Sequence, residues 1–447
     1  MEELGSEHFN HLSQTEWEQE VSKSLNVKDL SDIESFQFEG VDLAIWRSDA
    51  PNTTGIPDRA IASRSEGMPW QIQQTLTTPD EISQGLSHGI QGVRIPQSVC
   101  ASTDLQELLD GVYPEMVAFH FDGPESSGTL RSLIRVQRKR EKTLGHEIAL
   151  GGSSVFDVLR SDLEGAEGQL AFSRHIQAWD VAMPNFRSWG ADGYPWTEAG
   201  MDAIPLLAWM LVGLDAQWQR SKANGDEAGL SARRVSLRWS VGTEVMWEAA
   251  KLRALRRLWS RWLDSIDLEF CPVWIDAKTS TIRHESRNPE DNLLRNAAST
   301  YAAVLGAADG IETVPHDAFS GSMPAGKRWA RNVQHLLVEE SRLNLTFDPL
   351  HGSRWAERAT LALEEEAWSL FQKWRADPAF QGGNQRLSTL ASEIRSGRQR
   401  RREEGMFRPS DAPKSKKASS DLNEVSWDAF GRPKPWTLIE HLKLGNA

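Results

Sequence analysis

The stretch Arg328–Glu357, RWARNVQHLLVEESRLNLTFDPLHGSRWAE, decides the fold class. Ala330, Val333, Leu336 and Leu337 recur at helical spacing. They give way to the alternating run Leu343-Asn344-Leu345-Thr346-Phe347, which predicts a strand ended by Asp348-Pro349. Gly352-Ser353 supplies a bend and an N-cap for a helix over Arg354–Trp374. Helix, strand and helix in one short stretch is the repeating step of a parallel α/β protein.

Working outward, the same alternation runs from Pro69 to about Gln372. Strands are predicted at Val93–Pro96, Met116–Phe121, Ile148–Gly151, Ala178–Met183, Val235–Ser240, Pro272–Ala277, Ile311–Pro315 and Leu343–Phe347. Helical patterns separate them, most clearly at Trp196–Ala223, Thr243–Leu263, Glu290–Ala307 and Gly326–Arg342. Such units fit a (β/α)8 barrel, and on pattern alone a doubly wound open sheet fits as well. Phe119, Phe121, Trp239 and Trp274 lie at alternating strand positions, which predicts an interior filled by bulky side chains.

Composition narrows the partners. The 447 residues carry a net charge of -13, which argues against duplex nucleic acid, since phosphate binding needs a basic face. Two cysteines, Cys100 and Cys271, suggest neither a disulfide framework nor a cysteine-built metal site. No run of about twenty apolar residues and no signal-peptide pattern is present, so a soluble cytoplasmic protein without membrane contact is expected. Nineteen tryptophans against three tyrosines imply large apolar surfaces to bury, in a core or at a subunit contact.

Several loops invite a chemical reading. Gly151-Gly152-Ser153-Ser154 follows a predicted strand and could hold an anion or be a serine-capped turn. Arg253, Arg257 and Arg261 share one helical face, either gripping a phosphate or simply solvated. Glu244, Glu248 and Lys251 on the neighbouring flank suggest intrahelical pairing. His284, His316 and His351 fall after the last three predicted strands, on the face where barrel enzymes do chemistry. None has a partner at metal-ligand spacing, and HExxH, CxxC and GxSxG are absent.

Four segments in one order carry a family resemblance: Ala249–Trp259 (AAKLRALRRLW), Thr279–Ile311, Ala330–Ser341 (ARNVQHLLVEES) and Asp348–Glu357 (DPLHGSRWAE), the last followed by Ala367–Phe371. They resemble the substrate-binding barrel of methylmalonyl-CoA mutases, over roughly Trp46–Arg408, and most closely the non-catalytic small subunits of heterodimeric mutases. The resemblance favours the barrel over the open sheet. It implies a (β/α)8 barrel over residues 58–392, an N-terminal arm and linker over 1–57, and an arginine-rich connector with a docking tail over 393–447. It further implies a large catalytic subunit as partner, with adenosylcobalamin carried by that partner, interconverting (R)-methylmalonyl-CoA and succinyl-CoA. Thr279 and Ser280 occupy substrate-binding positions of the family pattern.

The departures matter as much. Where catalytic relatives carry Tyr-His-Ile-Gln-Glu-Ala-Gly, this chain reads Tyr194-Pro195-Trp196-Thr197-Glu198-Ala199-Gly200, and Pro195 cannot replace a hydrogen-bonding histidine. The pattern His-Ser-Gln-Thr-Ser becomes Asp276-Ala277-Lys278-Thr279-Ser280. Trp70–Gln74 resembles the family's Trp-Thr-Ile-Arg-Gln segment, without the tyrosine-containing loop before it. The expected cobalamin domain and its Asp-x-His-x-x-Gly motif are not found before Ala447. The resemblance therefore implies a catalytically silent chain. An independent barrel enzyme acting on another acyl-CoA or phosphorylated ligand, and a structural or regulatory partner of a different mutase, are the alternatives. Met1–Trp46, with Phe9, Leu12 and Trp17, and Ser426–Leu442, with Trp427, Phe430, Trp436 and Leu438, are expected to dock on the large subunit.

Overall fold

A computed structural model describes residues 13–26, 35–44, 70–96, 99, 105–109, 111–112, 117–121, 148–150, 186–187, 189–223, 232–320, 323–346, 348–381 and 383–403. In chain order these contain helix α1 (Gln14–Leu25), hairpin strands β1 (Ser35–Phe38) and β2 (Val41–Ala44), β3 (Gln71–Thr75), α2 (Pro79–Ser87) and β4 (Gly92–Ile95). Then come α3 (Leu105–Leu108), β5 (Ala118–Phe121), β6 (Ile148–Leu150), β7 (Phe186–Arg187), β8 (Trp189–Asp192), α4 (Tyr194–Ala199) and α5 (Ala203–Ala223). The rest are β9 (Val235–Val241), α6 (Val245–Ser265), β10 (Trp274–Thr279), α7 (Asp291–Leu305), β11 (Gly310–Glu312), α8 (Pro324–Glu339), α9 (Arg354–Ala376), α10 (Pro378–Gln381) and α11 (Gly383–Glu403).

Strands β3 to β11 form one parallel sheet in the order β7-β6-β5-β4-β3-β11-β10-β9-β8. β7 and β8 follow one another along the chain, so a single stretch pairs with β6 through Phe186 and with β9 through Trp189. The two edges of the sheet are thus the two halves of one stave. The sheet closes on itself as eight parallel staves, the (β/α)8 barrel.

Period-two side-chain alternation explains how the barrel is filled. On β9, Val235, Leu237, Trp239 and Val241 join the apolar layer beneath the helices, while Arg238 turns to the axis. On β10, Ile275 and Ala277 face out, and Asp276 and Lys278 face in. Phe119 and Phe121 flank the inward-facing His120 in the same way. Of the bulky residues expected inside, only Trp274 points to the axis; Phe119, Phe121 and Trp239 lie in the outer apolar layer. That layer also holds Leu252, Leu258, Trp259 and Trp262 from α6 and Trp209 from α5. Each such side chain contributes roughly 1.5–3 kcal/mol on full burial.

Three sequence expectations need correction. Leu343–Leu345 is a 3-10 turn, not a strand. Arg342 takes a left-handed φ of 51° and turns the chain after α8, and β11 already pairs with β3, leaving no place in the closed sheet for another stave. The first stave is instead Gln71–Thr75, whose glutamines concealed it. The stave between β6 and β9 is Phe186–Asp192, and Ala178–Met183 lies outside the described residues. So does Gly151–Ser154. Arg253 and Arg257 are not solvated either: Arg253 is buried against Asp348 and Glu357, Arg257 pairs with Glu364, and Arg261 lies 3.7 Å from the same carboxylate. These arginines join α6 to the chain around α9.

The hairpin β1–β2 belongs to this same body. Glu39 and Gly40, its two turn residues, both have positive φ (50° and 85°), as a two-residue type I′ turn requires. Val41 and Leu43 are buried in the main core, and the Phe38 ring stacks on Trp247 at 5.4 Å and meets Trp355 at 6.0 Å. Part of the expected N-terminal docking arm is therefore already docked on its own barrel. Helix α1 starts with a capping box between Ser13 and Glu16. Phe9, Leu12 and Ser426–Leu442 lie outside the described residues. Among the described residues, no helix is long and apolar enough to cross a membrane.

Candidate functional site

Two connected groups of polar residues occupy the axis of the barrel and its C-terminal mouth. The axis is built by the inward positions of six staves. Asp276 lies 2.6 Å from Gln73 Nε2, 2.9 Å from the Trp274 indole nitrogen, 3.4 Å from Arg94 and 3.5 Å from His120. Glu312 gathers Arg94 at 3.2 Å, Lys278 at 3.2 Å, Arg238 at 3.6 Å and the Thr75 hydroxyl. Arg238 also reaches Asp192 at 3.4 Å, and both Arg238 and Lys278 sit over the Tyr194 ring. Arg94, His120, Asp276 and Glu312 are all at most 4% exposed.

The electrostatics follow from that packing. Burial opposes ionisation of Asp276, but His120, Arg94 and the Trp274 N–H more than offset it and hold the carboxyl far below the usual range. Gly310 makes the meeting possible: a Cβ there would fall 2.0 Å from Gln73 Nε2 and 2.6 Å from Asp276 Oδ1. Buried ion pairs of this kind are weak sources of net stability, because desolvation consumes most of the Coulombic gain. What they do enforce is geometry, since each carboxylate is tied to several neighbours.

At the mouth, Glu198 of α4 accepts hydrogen bonds from Ser240 Oγ (2.8 Å), Ser280 Oγ (2.7 Å) and Thr281 Oγ1 (2.7 Å), and at 3.2 Å from the Thr281 amide. Thr279, the other expected substrate-binding residue, is buried; its hydroxyl donates to Asn296 and accepts from the Val314 amide. Pro195 is buried within α4. His284 is buried beside Asn296 at 3.2 Å, and His316 stacks on Trp329 at 4.9 Å. His351 is exposed and lies 3.8 Å from Glu357. Asp348, His351 and Glu357 group closely enough to hold a metal ion, but Arg253 already bonds both carboxylates and supplies the positive charge there.

A second cluster sits where the hairpin meets the mouth. Glu39 bonds Lys251 Nζ at 2.5 Å and accepts from the Ala203 amide at 2.7 Å, while Lys251 also donates to Glu248 at 2.8 Å. The expected pairing of Glu248 with Lys251 is present, extended by a residue from the opposite end of the barrel sequence. Burial opposes ionisation of Glu39, but Lys251 and Arg401 outweigh it, and its carboxyl ends up below the usual range. Glu248 goes the other way: burial and the neighbouring Glu39 raise it, and Lys251 only partly compensates. Burial disfavours the Lys251 ammonium, yet the two carboxylates raise its pKa above 10.5. From α11, Arg400 and Arg401 close the arrangement on Asp202.

Sequence reasoning singled out Asp276, Lys278, Thr279, Ser280 and Pro195. It missed Gln73, Arg94, His120, Arg238 and Glu312. For Arg94, His120, Arg238 and Glu312 the signal was present as polar residues at every second position of otherwise apolar strands, in GVRI, AFHF, VSLRWSV and GIE, whereas QIQQT is polar on both faces and gives no such contrast.

A family model described as methylmalonyl-CoA mutase matches residues 166–382. The methylmalonyl-CoA mutase small subunit of Streptomyces virginiae is 30% identical over 315 residues, covering 67% of this chain and 50% of that protein. The small subunit of Propionibacterium freudenreichii subsp. shermanii is 26% identical over 403 residues, covering 82% of this chain and 62% of its own length. A methylmalonyl-CoA mutase of Cereibacter sphaeroides is 32% identical over 209 residues, 45% of this chain and 29% of that protein. The chain thus spans about half, or less, of the length of most of the curated relatives it matches. The family model falls on the second half of the closed barrel, from β7 to α10, and over these residues and beyond them the chain is similar to methylmalonyl-CoA mutases, small subunits among them.

Proposed function

We propose that this chain is a non-catalytic, small-subunit-type component of a cytoplasmic heterodimeric mutase, in which a large subunit interconverts (R)-methylmalonyl-CoA and succinyl-CoA. The observation that carries the reading is the axial ion network. An acyl-CoA arm lying along a barrel axis needs a lined channel, and here the inward positions of β3, β4, β5, β9, β10 and β11 are tied to one another across the axis. Opening it would leave Asp276 and Glu312 as buried charges without partners, which costs several kcal/mol per ion.

The family implies adenosylcobalamin, which would supply the radical in such a complex. The described residues at the mouth do not fit it. His284 is held by Asn296 and His316 by the Trp329 ring, and Ser280 and Thr281 close on Glu198. The cofactor is accordingly assigned to the partner. The reading is tested by co-expressing the chain with a large mutase subunit. A one-to-one complex by native mass spectrometry, with isomerase activity confined to preparations holding the large subunit, is the expected result. Turnover of methylmalonyl-CoA by the pure chain, or no association, would overturn it.

A further inference from the structure

Nine large apolar side chains are exposed among the described residues, and seven of them lie between 294 and 345. Leu294 (75% exposed) and Tyr301 stand on α7, Trp329 and Leu336 (51%) on α8, and Leu345 (72%) in the turn after it. Phe319 and Met323 (60%) lie on the loop that leads into α8. Together they expose on the order of 700 Å², close to the ~800 Å² that each partner gives to a standard interface.

The outer layer of helices explains why the apolar residues show here and not elsewhere. α9 runs along α5 and α6, and its Trp368, Phe371 and Trp374 join their core. Among the described residues no helix packs along α7 and α8 as α9 does along α5 and α6.

The arrangement of the face is self-complementary. Leu294 and Tyr301 are seven positions apart, as are Trp329 and Leu336, so each pair spans about two turns along one side of its helix. Thr313 hydrogen-bonds both Thr300 of α7 and Gln334 of α8, which sets those two residues at one height. The midpoints of the two apolar pairs are then level to within about 2 Å, and one two-fold axis serves both helices.

The charges on α8 fit the same axis. Arg328 stands near its start and Glu339 in its last turn, both exposed, the order its own dipole disfavours. Lys327 and Arg331, beside Arg328, are taken up by Glu81 and Gln74. Arg328 and Glu339 are eleven positions apart, about three turns, and so share one flank of the apolar stripe. An antiparallel copy of the same helix brings each of them against its opposite.

We propose that the outer face of α7 and α8 takes a second copy of this chain, related by a two-fold axis that crosses α8 near Val333. Trp329 packs on the partner's Leu336, Leu294 on the partner's Tyr301, and Arg328 pairs with the partner's Glu339, each contact occurring twice. This pairing goes beyond the heterodimer proposed above and does not rest on it.

The test is sedimentation equilibrium of the full-length chain. The wild type is expected to dimerise with a Kd below about 100 µM, and Leu336→Glu to abolish the dimer. Arg328→Glu and Glu339→Arg are each expected to weaken it at least about tenfold, because each sets like charges against one another. An equimolar mixture of these two variants is expected to regain the wild-type affinity, since every pair between them is again of opposite charge, a rescue that damage to the fold would not give. The proposal is overturned if the wild type stays monomeric, whether the face then proves to be taken by residues 404–447, with a dimer formed on their removal, or by a large mutase subunit, with that binding lost in Leu336→Glu. It is equally overturned if the dimer survives Leu336→Glu or if mixing the two charge variants restores nothing.

Discussion

The axis of this barrel and the layer beneath its helices are equally buried and built by opposite means. Under the helices, Trp239, Leu258, Trp259 and Trp262 are packed by shape, and their contribution grows with the area removed from water. Along the axis, Arg94, Arg238, Lys278, Asp276 and Glu312 are held by charge, and their net contribution is small while all remain together. The apolar layer accounts for the fold's stability. The axial layer sets what the fold can admit.

Substitutions that keep volume separate the two. The largest effect is expected at Glu312, where Glu312→Gln keeps the size of the side chain but removes the charge facing Arg94, Arg238 and Lys278. Breaking a buried pair on one side costs about 3–5 kcal/mol, so urea unfolding should show a loss of that order. A loss below ~1 kcal/mol would mean the axial ions are not coupled as described.

Next comes Leu258, fully buried in the apolar layer. Leu258→Ala is expected to cost about 2–5 kcal/mol, whereas Leu258→Met, nearly equal in volume, should cost under about 1.5 kcal/mol. The contrast with Glu312→Gln is the point: conserving volume rescues one layer and not the other. Equal losses for Leu258→Met and Glu312→Gln would erase the distinction.

A smaller effect is expected where the two layers meet, at the hairpin. Glu39→Gln keeps an acceptor for the Ala203 amide and leaves Lys251 with Glu248, so a loss of about 1–3 kcal/mol is expected. The sign with pH follows from the lowered Glu39 carboxyl. Its share of stability is fully present above the ordinary value of 4.5 and is lost as pH falls through the lower folded value. The Glu39→Gln protein should therefore lose less stability than the wild type between pH 4.5 and acid unfolding. Parallel acid limbs in the two melting-temperature profiles would show that Glu39 is not the charged keystone of the hairpin.

The outer layer was legible in the sequence and the inner one was not, for a physical reason. Helices such as Asp291–Leu305 and Arg354–Ala376 advertise their buried stripe through apolar periodicity, and the expected spans lie within about two residues of the structure. Repeating that pattern pointed to a parallel α/β fold, and the family resemblance chose the barrel over the open sheet. Register was harder. Leu343–Phe347 has the alternation of a strand, but a turn's apolar residues alternate just as well, and only closure of β11 on β3 denies it a place. Conversely Gln71–Thr75 carries polar residues on its inward face, the feature that makes it part of the axis and hides it from a hydrophobic reading.

The same holds for the site. Asp276 and Lys278 were visible as departures from a family pattern, but their partners Arg94, His120, Arg238 and Glu312 come from other staves. No spacing along the chain connects them. Glu39 and Lys251 are likewise brought together across more than two hundred positions by a two-residue turn. Pro195 could be read directly, because proline lacks a hydrogen-bonding side chain wherever it sits.

The claim that the axis is closed by ions is tested most directly by calorimetric titration of the pure chain with succinyl-CoA. The account predicts no saturable heat up to about 1 mM, since no pantetheine arm can enter without separating Asp276 and Glu312 from their cations. One-to-one binding with a Kd below that range, lost on blocking the barrel mouth, would contradict it.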